Sequence, residues 1–419
     1  MTLFCKNGRS DSLSLTGRLA GGECVTVTVQ DGVIARIEEA PATARVLAPA
    51  FVDPHVHLRS PGREDEETIA SGTAAAAAGG YCAILAMPNT DPVVDSASVL
   101  GSLVAAAQRD ALVPTGFMAA ISKRLGGDEL TEMGELADAG AAAFTDDGRP
   151  VTSAGLMRRA LQYGAVTGRK LSLHCEEPTL SRDGQMHEGT VSAELGLAPY
   201  PSVGESAMVE RDLSLAGFEE RPLHLMHLSA KESVEALRRA HERGIEASAE
   251  VTPHHLVLTH EAVRSLDANL KMNPPLRGDD DRKALIEALR DGTIACVATD
   301  HAPHSREEKE APFEDAPFGV TGLETAFASL YTYLVRPGLL PLETVLERMS
   351  VGPARAFGLP EPRIEVGATA NLVLLDLETE WVVEEAGFRS RSANSWLLGE
   401  RLRGAVVQTV ADGRLVHGG

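Results

Sequence analysis

The chain has 419 residues, with 60 acidic against 39 basic side chains and a formal net charge of −21. That length accommodates two or three ordinary domains, or one large barrel with an appendage, and its 43% hydrophobic and 24% charged content excludes wholesale disorder or a collagen-like repeat. The acidity excludes a nucleic-acid partner, whose phosphates need Lys and Arg to release counterions, while an anionic small molecule needs a locally positive site.

The N-terminus lacks the apolar core of a signal peptide. The first 48 residues hold short alternating runs such as ECVTVTV (23–29) and VIARI (33–37), split by Asp31-Gly32, a hairpin signal. The stretch from about residue 365 is similar, with ANLVLLDL (370–377), GAVVQTV (404–410) and Asp412-Gly413. Each end is too short to bury a core alone, so 1–48 and 365–419 are expected to pair into one small β-sandwich domain.

Between them, in 49–364, apolar runs begin near Ala50, Tyr81, Val113, Ala141, Lys170, Pro222, Ile245 and Ile294. Helical patterns occupy 66–78, 96–109, 154–163, 206–216, 231–243 and 281–289. Runs of continuous rather than alternating hydrophobicity suit parallel strands covered on both faces. The alternation therefore predicts an α/β fold, a (β/α)8 TIM-type barrel, and no Gly-rich phosphate fingerprint supports the competing open sheet. The apolar-looking segment 72–88 is Ala- and Gly-rich and breaks at Gly79-Gly80, so it reads as helix then strand and no membrane span is expected. Five scattered cysteines without a Cys-x-x-Cys pair exclude a disulfide framework and a thiolate zinc site, and suggest a cytoplasmic protein.

The endings of these runs carry the chemistry. FVDPHVH (51–57) places His55 and His57 on one face of a strand. AAAFTDD (141–147) ends in Asp146 and Asp147, LSLH (171–174) in His174, LHLMH (223–227) in His227, and IACVATD (294–300) in Asp300. In a barrel, five such ends converge on one mouth. One strand-end histidine is more often structural, but four imidazoles and two carboxylates exceed the needs of one tetrahedral ion and suit two zinc ions activating water for hydrolysis. His224, two residues out of register, is expected to be solvated, as are His187, His241, His260 and His417. His254-His255 reads as structural and Cys175 as a small buried residue. The charge runs 63–67 and 306–310 read as solvated faces, the second where an active-site loop belongs.

The motifs DPHVHLRSPG (53–62), MPNT (87–90), FTDDG (144–148), LHCE (173–176), MNPPLR (272–277) and ATDHAPH (298–304) together resemble the bacterial class I dihydroorotases of the amidohydrolase superfamily, in order and over essentially the whole chain. The resemblance implies that His55, His57 and Asp300 hold one zinc and His174 and His227 the other, bridged by Asp147 and a hydroxide. The segment 141–144 has no lysine to carboxylate as an alternative bridge. Asp300 is implied as the catalytic acid/base. Arg59, Asn89 and His304 are implied to hold a substrate carboxylate and Asn273 the ring, helped by His57 and by backbone groups at Phe318 and Gly319. The implied substrates are dihydroorotate and N-carbamoyl-L-aspartate, and the family also implies a homo-oligomer and association with aspartate transcarbamoylase. The competing readings are a hydantoinase- or allantoinase-like enzyme and an inactive barrel scaffold; the loop 305–318 is expected to close over substrate.

Overall fold

The computed structural model describes residues 1–6 and 12–418 and has an α/β fold with mixed sheets. In chain order the strands are β1 (Leu13–Arg18), β2 (Cys24–Gln30), β3 (Val33–Glu39), β4 (Val46–Pro49), β5 (Phe51–Val56), β6 (Tyr81–Ala86), β7 (Thr115–Phe117), β8 (Leu171–Leu173), β9 (Met186–His187), β10 (Pro199–Tyr200), β11 (Leu223–Leu225), β12 (Ala247–Val251), β13 (Cys296–Val297), β14 (Leu372–Val382), β15 (Arg401–Ala411) and β16 (Arg414–His417).

The two chain ends meet in one seven-stranded sheet of order β16-β15-β14-β4-β1-β2-β3. Period-two alternation decides which way it packs. Leu47, Leu372 and Leu374 join Leu15, Val27 and Ile34 in a small core of their own. Their neighbours Val46, Ala48, Val373 and Leu375 turn to the main core.

The central segments pair in parallel throughout. β5 pairs with β6 and β6 with β7. Single bridges then join Ala119 to Phe144 and Phe144 to Leu171, and the ladder continues β8-β11-β12-β13. A bridge from His301 to Val56 returns it to β5. Every residue of β5 and β6 is buried, as strands covered on both faces require. The segment 141–144 forms single bridges at Phe144 and a further bond from the Ala142 N–H to the Phe117 carbonyl (2.8 Å), and no continuous strand, so this expected run is much shorter as a strand.

Helices cover Ile69–Ala78, Ala97–Asp110, Ala154–Thr167, Val203–Glu219, Lys231–Glu242 and Asp279–Asp291. The first starts later than its sequence pattern because Thr68 caps it, the Thr68 hydroxyl accepting from the Ser71 N–H at 3.0 Å. Gly79 ends that helix where any Cβ would lie 2.1 Å from the Leu323 carbonyl oxygen, so only glycine fits.

Asp53 fastens the first parallel strand to the last. Its Oδ1 accepts from the His55 N–H at 3.1 Å and the Thr299 N–H at 3.2 Å, and Oδ2 accepts from the Thr299 hydroxyl at 2.6 Å. The carboxylate is fully buried. Asp53→Ala strands these donors and should lower unfolding free energy by about 2–4 kcal/mol, read as a lower urea midpoint; an unchanged midpoint would show that the junction does not depend on Asp53.

Candidate metal centre and active site

Five different segments deliver the expected side chains to one place. His55 and His57 leave the end of β5, Asp147 follows the bridge segment at Phe144, and His174, His227 and Asp300 follow β8, β11 and β13. His55 Nε2 lies 3.3 Å from Asp300 Oδ1 and 3.8 Å from Asp147 Oδ1, and His57 Nε2 lies 3.1 Å from Asp300 Oδ1 and 3.5 Å from Asp147 Oδ2. His174 Nδ1 and His227 Nε2 each lie 3.7 Å from Asp147 Oδ1, and 3.0 Å from one another. Two sets, His55–His57–Asp300 and His55–Asp147–His227, have donor atoms within 4.8 Å of one another. Asp147 is the inward carboxylate of its pair. Asp146 turns away to accept from the Ile121 N–H (2.8 Å) and Ser122 N–H (3.0 Å).

The outer contacts test whether a cation fits. His55 Nδ1 donates to Glu250 Oε1 at 2.7 Å, His57 Nδ1 to Asn89 Oδ1 at 2.9 Å and His174 Nε2 to Glu176 Oε2 at 2.9 Å. Each acceptor places the proton on the outer nitrogen and turns the other nitrogen's lone pair inward, the arrangement seen around metal-ligating histidines. His55 Nε2 is buried without a hydrogen-bond partner. Converging lone pairs and carboxylate oxygens repel unless a cation sits among them, so the donor set fits a metal.

The electrostatics agree. Burial raises the Asp147 and Asp300 carboxyls, but the surrounding imidazoles outweigh it and hold both well below the ordinary range. Burial likewise opposes ionisation of Glu250, yet His55 and His224 bring it down to about 2. Three non-glycine residues here, Arg59 (φ 55°), His227 (φ 28°) and Asp300 (φ 49°), adopt left-handed backbone. Such strain persists only where surrounding structure enforces it.

Beside the cluster lies a cavity of about 250 Å³ lined by His57, Arg59, Asn89, Asp147, His174, His227, Asn273, Asp300, His304, Phe318 and Gly319. Every expected site residue except His55, which is wholly buried, therefore faces one space. Asn89 Nδ2 also donates to Asp147 Oδ2 at 3.2 Å. Asn273 Nδ2 donates to Glu176 Oε2 at 3.0 Å, while its Oδ1 is buried and unpartnered. The Gly319 N–H is taken by the Lys271 carbonyl (2.9 Å), and the Phe318 carbonyl accepts from His304 Nε2 (2.8 Å).

Several sequence readings need correction. His224 is not solvated: it is buried, with Nε2 3.0 Å from Glu250 Oε2 and Nδ1 2.9 Å from Ser248 Oγ. His187, His260 and His417 are half-buried, and of this group only His241 is exposed. The 63–67 run is a solvated face only in part: Arg63, Glu64 and Asp65 are exposed, but Glu66 and Glu67 are buried against His304 and His301. His254 and His255 are buried, with His255 bonded to Thr252 Oγ1 and the Pro274 carbonyl. Burial pushes the Cys175 thiol well up, which suits an inert residue. Glu250, Glu176 and Asn394 were missed. Asn394 Oδ1 accepts the His304 N–H at 3.0 Å, and its Nδ2 donates to the Ala302 and Gly319 carbonyls. An acid inside the apolar strand β12 was the available signal for Glu250.

A family model described as "Dihydro-orotase-like" matches residues 44–233. The chain is 41% identical over 424 residues to the dihydroorotase of Caldanaerobacter subterraneus subsp. tengcongensis, covering 99% of this chain and 97% of that one. It is 46% identical over 380 residues to the dihydroorotase of Listeria innocua serovar 6a, covering 91% and 89%. Among solved structures, the L-hydantoinase (dihydropyrimidinase) of Arthrobacter aurescens superposes with a TM-score of 0.84 at 26% identity, over 95% of this chain and 94% of that one. Fold and site thus define a metal-dependent amidohydrolase, a hydrolase of cyclic amides. Within that class, the chain belongs to the dihydroorotase family.

Glu250→Gln keeps the shape but weakens the acceptor that orients His55. It should lower metal affinity by about 10–100-fold, measured by competition with a chelator, with the circular-dichroism spectrum unchanged. Wild-type affinity in the variant would remove Glu250 from the account.

Proposed function

We propose that the protein interconverts (S)-dihydroorotate and N-carbamoyl-L-aspartate, the third step of de novo pyrimidine synthesis. The observation that carries this reading is the meeting, in one cavity, of the metal-ligand cluster with Arg59, Asn89 and His304. The cluster supplies hydrolysis of an amide, and the other three supply recognition of a carboxylate, which hydantoin and allantoin lack. The closed circuit of parallel segments supports a (β/α)8 barrel over 49–364, with a sandwich-type appendage from 1–48 and 365–419.

His55, His57 and Asp300 would hold one zinc, and His174 and His227 a second, with Asp147 shared between them. The 3.0–3.8 Å separations among these donor atoms would let them share a cation. Bound zinc lowers the pKa of water and polarises a carbonyl oxygen. Asp300 then accepts the proton of the attacking water and delivers it to the departing ring nitrogen, and in ring closure returns it. The planar fork of Arg59 matches a carboxylate bidentately. Asn273 Oδ1, lacking a partner, can accept a ring N–H.

Asp300→Ala should abolish turnover while the protein stays folded; retained turnover in metal-replete variant would sink the assignment. Arg59→Ala should raise KM for dihydroorotate about 10–100-fold, the worth of a charge-assisted hydrogen bond. Turnover of hydantoin or allantoin by the wild-type protein with kcat/KM equal to that of dihydroorotate would favour the hydantoinase reading.

A further inference from the structure

Behind the carboxylate-recognition pair lies an acid that the proposed chemistry does not use. Glu66 is 1% exposed. Its Oε1 is 3.1 Å from His304 Nδ1 and its Oε2 is 3.3 Å from Arg59 Nε. The Arg59 Nε–H itself donates to the Pro303 carbonyl at 3.0 Å, so Oε2 is an electrostatic partner without a hydrogen bond of its own.

The cavity side of this pair explains why an acid is needed. Arg59 Nη2 approaches His304 Nε2 to 3.2 Å, yet that nitrogen also faces the Phe318 carbonyl at 2.8 Å. A carbonyl oxygen can only accept, so His304 Nε2 carries the proton, and its contact with Arg59 brings two N–H donors together. Such donors separate unless something holds them from behind. Glu66 does this with one oxygen near each.

Glu66 is itself fixed. Arg63 donates to Glu66 Oε1 at 2.8 Å and to Glu308 Oε1 at 2.6 Å, and Glu308 Oε2 lies 3.2 Å from His304 Nδ1. The Glu66 N–H donates to the Arg63 carbonyl and the Ser392 hydroxyl to the Glu66 carbonyl.

We propose that Glu66 is the positioning residue for carboxylate recognition, holding the Arg59 guanidinium and the His304 ring side by side so that the guanidinium N–H groups not spent on the Pro303 carbonyl, with His304 Nε2–H beside them, can meet the substrate's carboxylate. This rests on the dihydroorotate reading above. Glu66 touches neither substrate nor metal ligands; it acts through Arg59 and His304, so its loss should fall on binding of carboxylate-bearing substrates and not on the amide chemistry.

The test compares Glu66→Ala and Glu66→Gln with the wild-type holoenzyme on dihydroorotate and on 5,6-dihydrouracil, the same ring without the carboxylate. Glu66→Ala should raise KM for dihydroorotate at least tenfold, with kcat changed less than threefold and the slow turnover of dihydrouracil unaltered. Glu66→Gln, which keeps the shape, should recover part of the KM loss. An unchanged KM in Glu66→Ala overturns the proposal. So does an equal loss on both substrates, or a failure of both variants to fold, since either outcome marks a general structural role. Absence of dihydroorotate turnover in the wild type would instead sink the underlying reading.

Discussion

The carboxylate of Glu250 is fully buried among donors from two neighbouring segments: His55 Nδ1 at 2.7 Å, His224 Nε2 at 3.0 Å and the His227 N–H at 3.2 Å. A buried charge is tolerable only when its lone pairs are matched, so these groups have one workable arrangement. In satisfying Glu250, His55 turns its other nitrogen toward Asp147 and Asp300, and the His227 backbone is pinned beside it. Asn89 and Glu176 repeat the device at His57 and His174. The inner cluster therefore depends on an outer layer of acceptors, and the fold's task is to bring that layer inward from separate strands.

The same logic of opposed charge extends to the substrate side. A chain of net charge −21 cannot attract an anion by its bulk field. A locally positive group is needed, and on the proposed function Arg59, which lines the cavity beside His304, supplies it. N–H donors packed this closely need acceptors behind them, and Glu66 and Glu308 occupy those places. Glu66 and Glu308 thus stand behind Arg59 and His304, whereas Asp147 and Asp300 line the cavity itself among the imidazoles.

Strand-ending imidazoles and carboxylates were legible because a parallel strand presents its C-terminal end to a shared mouth, and FVDPHVH or LSLH marks that end directly. The choice between Asp146 and Asp147 was not local: it turns on the Ile121 and Ser122 N–H groups, which no spacing reveals. His224 was misread for a related reason. Counted along its own strand it points away from His227, but the register Leu223↔Ala247 sets it beside Ser248 and within reach of Glu250. Glu66 and Glu67 resemble a surface charge run because their partners, His304 and His301, lie more than 230 positions away. Asn394 comes from the far C-terminal stretch for the same reason. The termini pairing into one sheet was readable from alternation, whereas its docking on the main core through Val46, Ala48, Val373 and Leu375 emerged only with the register.

The central claim is that the six inward side chains form a metal centre on which the reaction depends. Its most direct test is dihydroorotate turnover by chelator-stripped protein as zinc is returned stepwise, with bound metal counted by elemental analysis. The account predicts no turnover without metal and recovery that follows bound zinc up to about two equivalents per chain. Full turnover by the metal-free protein would contradict it.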